Sequence, residues 1–154
     1  MNTDRQLTQE EREFALRHLT ESRDRMLAAV DSLTPEQWNF KPGDGAWSVA
    51  ECCEHVALVE SIILQRVLDA PEVADLPELT GKEQLVLQRV SVPLVKATAP
   101  APVRPQGRWT IEDLPRAFAT ARQTTIDFTS ACRDPLRWKV APILHWVRWM
   151  VTSG

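Results

Sequence analysis

No apolar run in this chain approaches the roughly 20 residues that a membrane-spanning helix needs, so no membrane partner is expected. The first residues, MNTDRQLTQEEREF, are polar and charged, not basic and then apolar. That speaks against a secretory signal and for a cytoplasmic protein. Cysteines number three, and Cys52 and Cys53 are adjacent. An odd count in this arrangement does not make a disulfide framework, and both read as reduced core residues. The chain has no phosphate-cradling glycine loop, no Gly-x-Ser-x-Gly and no Cys-x-x-Cys. The usual nucleotide, serine-hydrolase and thiol-redox signatures are thereby missing. Basic residues interleaved with aromatics are missing too, and the net charge is −3, so nucleic acid is not an expected partner.

What is present fits one soluble domain spanning residues 1–154. Apolar residues make up 44% and charged residues 25%, ordinary values that leave room for one core. Charge is unevenly spread. Residues 1–100 carry 10 Lys/Arg against 17 Asp/Glu, and residues 101–154 carry 8 against 4. Basic C-terminal helices packed beside acidic ones account for that asymmetry.

The stretch WSVAECCEHVALVESIILQRVL, from Trp47 to Leu68, is the strongest helical pattern in the chain. Ser48-x-x-Glu51 is a capping-box signature. Val49, Cys52, Cys53, Val56, Val59, Ile63 and Val67 recur at helical spacing as an apolar stripe. His55 lies on the border of that stripe, with Cys52 and Val59 as neighbours on the same face. The helix therefore carries a titratable, metal-capable imidazole at its buried side. Glu51, Glu54 and Glu60 read as its solvated face.

A first helix is expected over about 8–31, opened by Thr8-x-x-Glu11, with Ala15, Leu19, Met26 and Val30 facing the core. His18 on that helix reads as structural or exposed. Thr34-Pro35-Glu36-Gln37 has the order of a short capped turn. Trp38, Phe40 and Trp47 are expected to fold back over the helix ends. A further helix is expected near 82–90. Residues 91–109, with Pro93, Pro100, Pro102 and Pro105, read as an extended crossing segment that lies on the surface and packs. Thr110 has the chemistry of a cap for a helix over 110–133, whose repeat is Leu114, Phe118, Ala121, Thr125 and Phe128.

These pieces together resemble the DinB-like family of four-helix proteins. The residues that carry the resemblance are Leu33-Thr34-Pro35-Glu36-Gln37-Trp38, then Trp47-Ser48-x-x-Glu51-x-x-x-His55-x-x-x-Val59-Glu60. The Pro-rich crossing that ends in Gly107-Arg108-Trp109-Thr110 adds to them. The resemblance implies an all-α, up-down four-helix bundle with one long crossover, often a homodimer. It also implies a divalent metal, Zn or Ni, held by three histidines. His55 matches the first. The other two belong to a His-x-x-x-His pair on the last helix. Related enzymes act on small molecules or low-molecular-weight thiols as metal-dependent transferases or hydrolases.

This chain departs from that pattern after residue 55, where its one later histidine is His145. Two alignments of the tail are open. In one, His145-x-x-x-Trp149 replaces the pair. In the other, which the spacing favours, Trp149 matches a tryptophan early in the last helix and the sequence stops at Ser153-Gly154 before the pair, leaving that helix truncated. His55 and His145 are then the metal candidates, and two imidazoles make a weak site. The alternative function is a bundle without catalytic metal, serving binding or dimerisation. Trp138, Trp146 and Trp149 need cover, so self-association is expected.

Overall fold

The structure, a computed structural model, describes residues 6–72, 98–136 and 139. Four α-helices lie within them: α1 (Gln9–Val30), α2 (Pro35–Asn39), α3 (Val49–Asp69) and α4 (Leu114–Ala131). A 3-10 turn at Ala101–Val103 interrupts the crossing segment. No strand occurs among the described residues; the one β contact is an isolated bridge between Glu72 and Lys139. The expected helix near 82–90 and the tail beyond residue 139 lie outside the described residues.

Local chemistry sets the helix starts. Thr8, Thr34 and Ser48 each accept a hydrogen bond from the backbone N–H three residues on, and Glu11, Gln37 and Glu51 reach back to the cap. Each box satisfies two backbone donors that a helix start leaves without intrahelical partners. The last helix begins later than the sequence indicates. Thr110 still accepts from Asp113 N–H (3.2 Å), and Leu114 N–H donates to the Thr110 carbonyl (3.0 Å). The cap therefore closes a turn over 111–113, which runs on into regular helix at Leu114.

Cross-links fix the directions of the long helices. Arg12, early in α1, donates to the Thr129 carbonyl near the end of α4, while Arg23 meets Gln123 at 2.8 Å. α1 and α4 are thus antiparallel. Cys53 and Leu114 share one core cluster, and Glu60 meets Arg122 at 2.8 Å. α3 and α4 therefore run parallel, a direction that a long crossover permits and a short loop does not.

The core cluster lies where α1 ends and α3 begins. Val30, Trp38, Cys53 and Leu114 are buried, with Met26, Leu33, Val49, Ala50, Trp109 and Ile111 packed against them. Further along α4, Phe118 is 1% exposed, and burying a side chain of that size contributes about 1.5–3 kcal/mol. Trp38 folds back as expected. Phe40 does not: it is 66% exposed.

The buried face of α3 is rotated from the apolar stripe. Cys53, Glu54 and Ala57 are buried, whereas Cys52 and Ile63 are exposed. The reading of Cys52 as a core residue is thus corrected. Its successor is one helical step, about 100°, further round and faces inward. The stripe is displaced because two glutamates share the inner side, and a count of apolar residues cannot register them.

Candidate functional site

His55 lies one turn and a half into α3, half-buried. Its Nδ1 is 2.7 Å from the Val103 carbonyl oxygen. A carbonyl only accepts, so Nδ1 carries the hydrogen and donates. In the neutral ring, Nε2 is then the unprotonated nitrogen. Trp47 flanks the imidazole, with ring centroids 4.9 Å apart and planes tilted by 56°. The side chain is held on two sides: by the residue just before the Ser48 cap and by the far end of the crossover.

Val103 is an anchored partner. It is 1% exposed, and its N–H donates to the Pro100 carbonyl at 3.1 Å, closing the 3-10 turn. Prolines 100 and 102 fix the local φ and remove competing donors. Three residues past that turn the chain wraps round a carboxylate. Glu54, 3% exposed, accepts from the backbone N–H groups of Gln106 (2.9 Å), Gly107 (2.8 Å) and Arg108 (3.3 Å). The Arg108 guanidinium adds a fourth bond at 2.8 Å and also donates to the Arg104 carbonyl at 3.0 Å. Gly107 has φ +70°, a left-handed conformation that only glycine adopts without strain. That turn aims three successive N–H groups at one anion.

Burial acts to raise the Glu54 pKa. The bonds from Gln106, Arg108 and Gly107 outweigh it and hold the carboxyl below its ordinary value. Its neighbour Cys53 behaves oppositely. Burial, assisted by Cys52, pushes that thiol up to about 11, so it stays protonated and inert near neutrality.

Glu60, one and a half turns after His55, belongs to a second buried network. Arg122 of α4 donates to Glu60 (2.8 Å), to Ser22 Oγ (2.6 Å) and to the Leu19 carbonyl (3.2 Å). Its Cζ lies 5.4 Å from the Phe118 ring centroid. One guanidinium thus joins all three long helices. Glu54 and Glu60 are not the solvated face that the sequence suggests. Glu51 remains at the surface, bonded to Lys41 at 2.8 Å as well as to Ser48.

A metal implied by the resemblance meets one fitting donor here. Ligating histidines commonly donate the second ring N–H to a backbone carbonyl, which fixes the tautomer and directs the other nitrogen at the ion. His55 has that arrangement. His18 does not join it: it is exposed on α1 and makes an edge contact with Phe14 at 4.2 Å. His145 lies outside the described residues. Among the described residues no group of three His, Cys, Asp or Glu is placed to hold an ion, and no helix is long and apolar enough to cross a membrane.

Sequence reasoning singled out His55 but missed Glu54 as its companion. The available signal was Gly107-Arg108 at the end of the proline-rich crossing, a turn glycine followed by a cation. Comparison with curated proteins and with solved structures finds no match for this chain. A sequence model of the DinB superfamily does match, over residues 18–152. That span takes in α2, α3, the crossover and α4, and this all-α chain belongs to the DinB superfamily.

Proposed function

We propose that this DinB-like bundle offers His55 Nε2 to a divalent metal, Zn or Ni, and works on a small molecule or low-molecular-weight thiol beside it. The observation that supports the reading is the 2.7 Å bond from Nδ1–H to the Val103 carbonyl, which leaves Nε2 as the ring's lone-pair donor. His145 is the second candidate ligand in sequence. Such a metal, when bound, would supply Lewis-acid polarisation or a lowered pKa for a bound water or thiol. The protein's own contribution is to orient the imidazole through Val103 and Trp47. The setting proposed is the cytoplasm, with two copies of the chain paired through the tryptophan-rich tail.

Equilibrium dialysis against Zn²⁺ and Ni²⁺ tests the reading on the wild type, His55→Ala and His145→Ala. Binding that both substitutions remove supports it. Binding that survives His55→Ala overturns it.

A second reading is supported by the same bond. His55 and Glu54 both fasten the crossover, a sufficient structural task in a non-catalytic binding or dimerisation module. Metal-independent folding with no metal uptake by the wild type separates this module from the enzyme.

A further inference from the structure

Glu54 and His55 are consecutive on α3, and both bind the same short piece of crossover. Glu54 collects the three backbone N–H groups of residues 106–108 and the Arg108 guanidinium. His55 donates to the carbonyl of Val103. The two attachments are mechanically joined. Arg108 spans from the Glu54 carboxylate to the Arg104 carbonyl, which belongs to the residue after Val103. The Arg104 guanidinium, through Nε and Nη2, returns to the Ala99 carbonyl (3.3 and 3.1 Å), ahead of the 3-10 turn. Moving the carboxylate would therefore free the loop on the C-terminal side of the carbonyl that His55 uses.

We infer that Glu54 is a positioning residue for His55, acting through the clamped loop 103–108 to hold the Val103 carbonyl where it keeps Nδ1 protonated and Nε2 open. The inference deepens the proposed metal reading, and its use to the protein rests on that reading. An imidazole free in water favours the opposite tautomer, with the hydrogen on Nε2, which would block the metal-facing nitrogen. A fixed carbonyl on the Nδ1 side reverses that preference. The carbonyl is fixed because the residues following it are tied to a buried anion, and the loop as a whole cannot leave without stripping that charge of its four donors.

Glu54→Gln tests this best, because it keeps the side-chain shape while turning one oxygen into a donor that faces the loop's own N–H groups. The readout is long-range ¹H–¹⁵N correlation of the His55 ring in metal-free protein at neutral pH, with helicity checked by circular dichroism. The expected result is a folded variant in which His55 loses its single Nδ1–H form and becomes a mixture of tautomers. Arg108→Ala provides a second route, because the residue is exposed and its loss removes the tie to the Arg104 carbonyl. It should shift the ring in the same direction, and it decides the matter if Glu54→Gln does not fold. A folded variant of either kind whose His55 stays wholly in the Nδ1–H form overturns the inference. The tautomer is read without metal, so a wild type that takes up no ion counts against the proposed function and leaves the role of Glu54 standing.

Discussion

Arg122 and Glu60 meet at 2.8 Å inside the bundle, with side chains only 13% and 12% exposed. The pair ties α4 to α3, and the same guanidinium reaches Ser22 and Leu19 on α1. Removing one member leaves the other charged and buried, which costs about 3–5 kcal/mol, whereas replacing both with apolar residues of similar volume is often neutral. Glu60→Ala is therefore expected to lower the unfolding free energy by about that amount. The double variant Glu60→Leu/Arg122→Met should recover most of it. Urea unfolding at neutral pH measures both, and a Glu60→Ala loss under about 1 kcal/mol would mean the network is slack.

Ser48 is the cap on which the start of α3 depends. It is 3% exposed, and its box includes bonds of 3.2 Å to Glu51 N–H and 2.8 Å from Ser48 N–H to Glu51. Ser48→Ala should cost about 2 kcal/mol, the upper end of the usual range, because water cannot replace the lost bond. Thr34→Ala, at an exposed cap on the five-residue α2, should cost less. Thermal denaturation of the two variants gives the order, and the reverse order would contradict this account of the corner.

Acid should weaken the attachment of the crossover to α3. The Glu54 carboxyl is held below its ordinary value of 4.5, since the loop's hydrogen bonds outweigh the effect of burial. A group whose folded pKa is depressed adds stability that is complete above the unfolded value and disappears as pH falls through the folded one. The Glu54 contribution is thus present at pH 5 and above, and fades below about pH 4.5. Stability measured from pH 7 to pH 3 should fall less steeply in Glu54→Ala than in the wild type. Parallel curves would show that the clamp contributes nothing.

The helices were legible because their signals are local. Thr8, Thr34 and Ser48 each lie three residues before a Glu or Gln, and each makes the box that this spacing suggests. His55 was legible as a border residue of α3. The identity of its partner was not, because Val103 is 48 positions away and contributes a carbonyl, which every residue possesses. Glu54 and Glu60 were misread for a related reason. A glutamate on a helix looks the same in sequence whether it meets water or a distant arginine. Periodicity sums apolar residues, so two buried acids displaced the inferred core face of α3 and placed Cys52 inside it. Phe40 was misread from its bulk alone; it sits in extended backbone at the end of the short α2, with its side chain exposed.

The proposed metal site and the proposed self-association both call on the tail. A site with two imidazoles binds weakly. Stabilisation by RT ln(1 + [L]/Kd) is negligible while the metal concentration stays well below Kd. The melting temperature is therefore expected to stay fixed with Zn²⁺ or Ni²⁺ at about tens of micromolar. Size-exclusion chromatography with light scattering should give a dimer or larger. A monomer whose melting temperature rises several degrees with micromolar metal, and no longer does so in His55→Ala, would point to a complete, tight site.

The central claim is that His55 keeps its hydrogen on Nδ1 and presents Nε2 for a metal. Nitrogen-15 NMR of the His55 ring, without metal and then with Zn²⁺ at about 1 mM to populate a weak site, tests it most directly. The account predicts a single Nδ1–H tautomer at neutral pH and a metal-induced shift confined to Nε2. A ring protonated at Nε2, or one whose Nε2 signal ignores the metal, would contradict it.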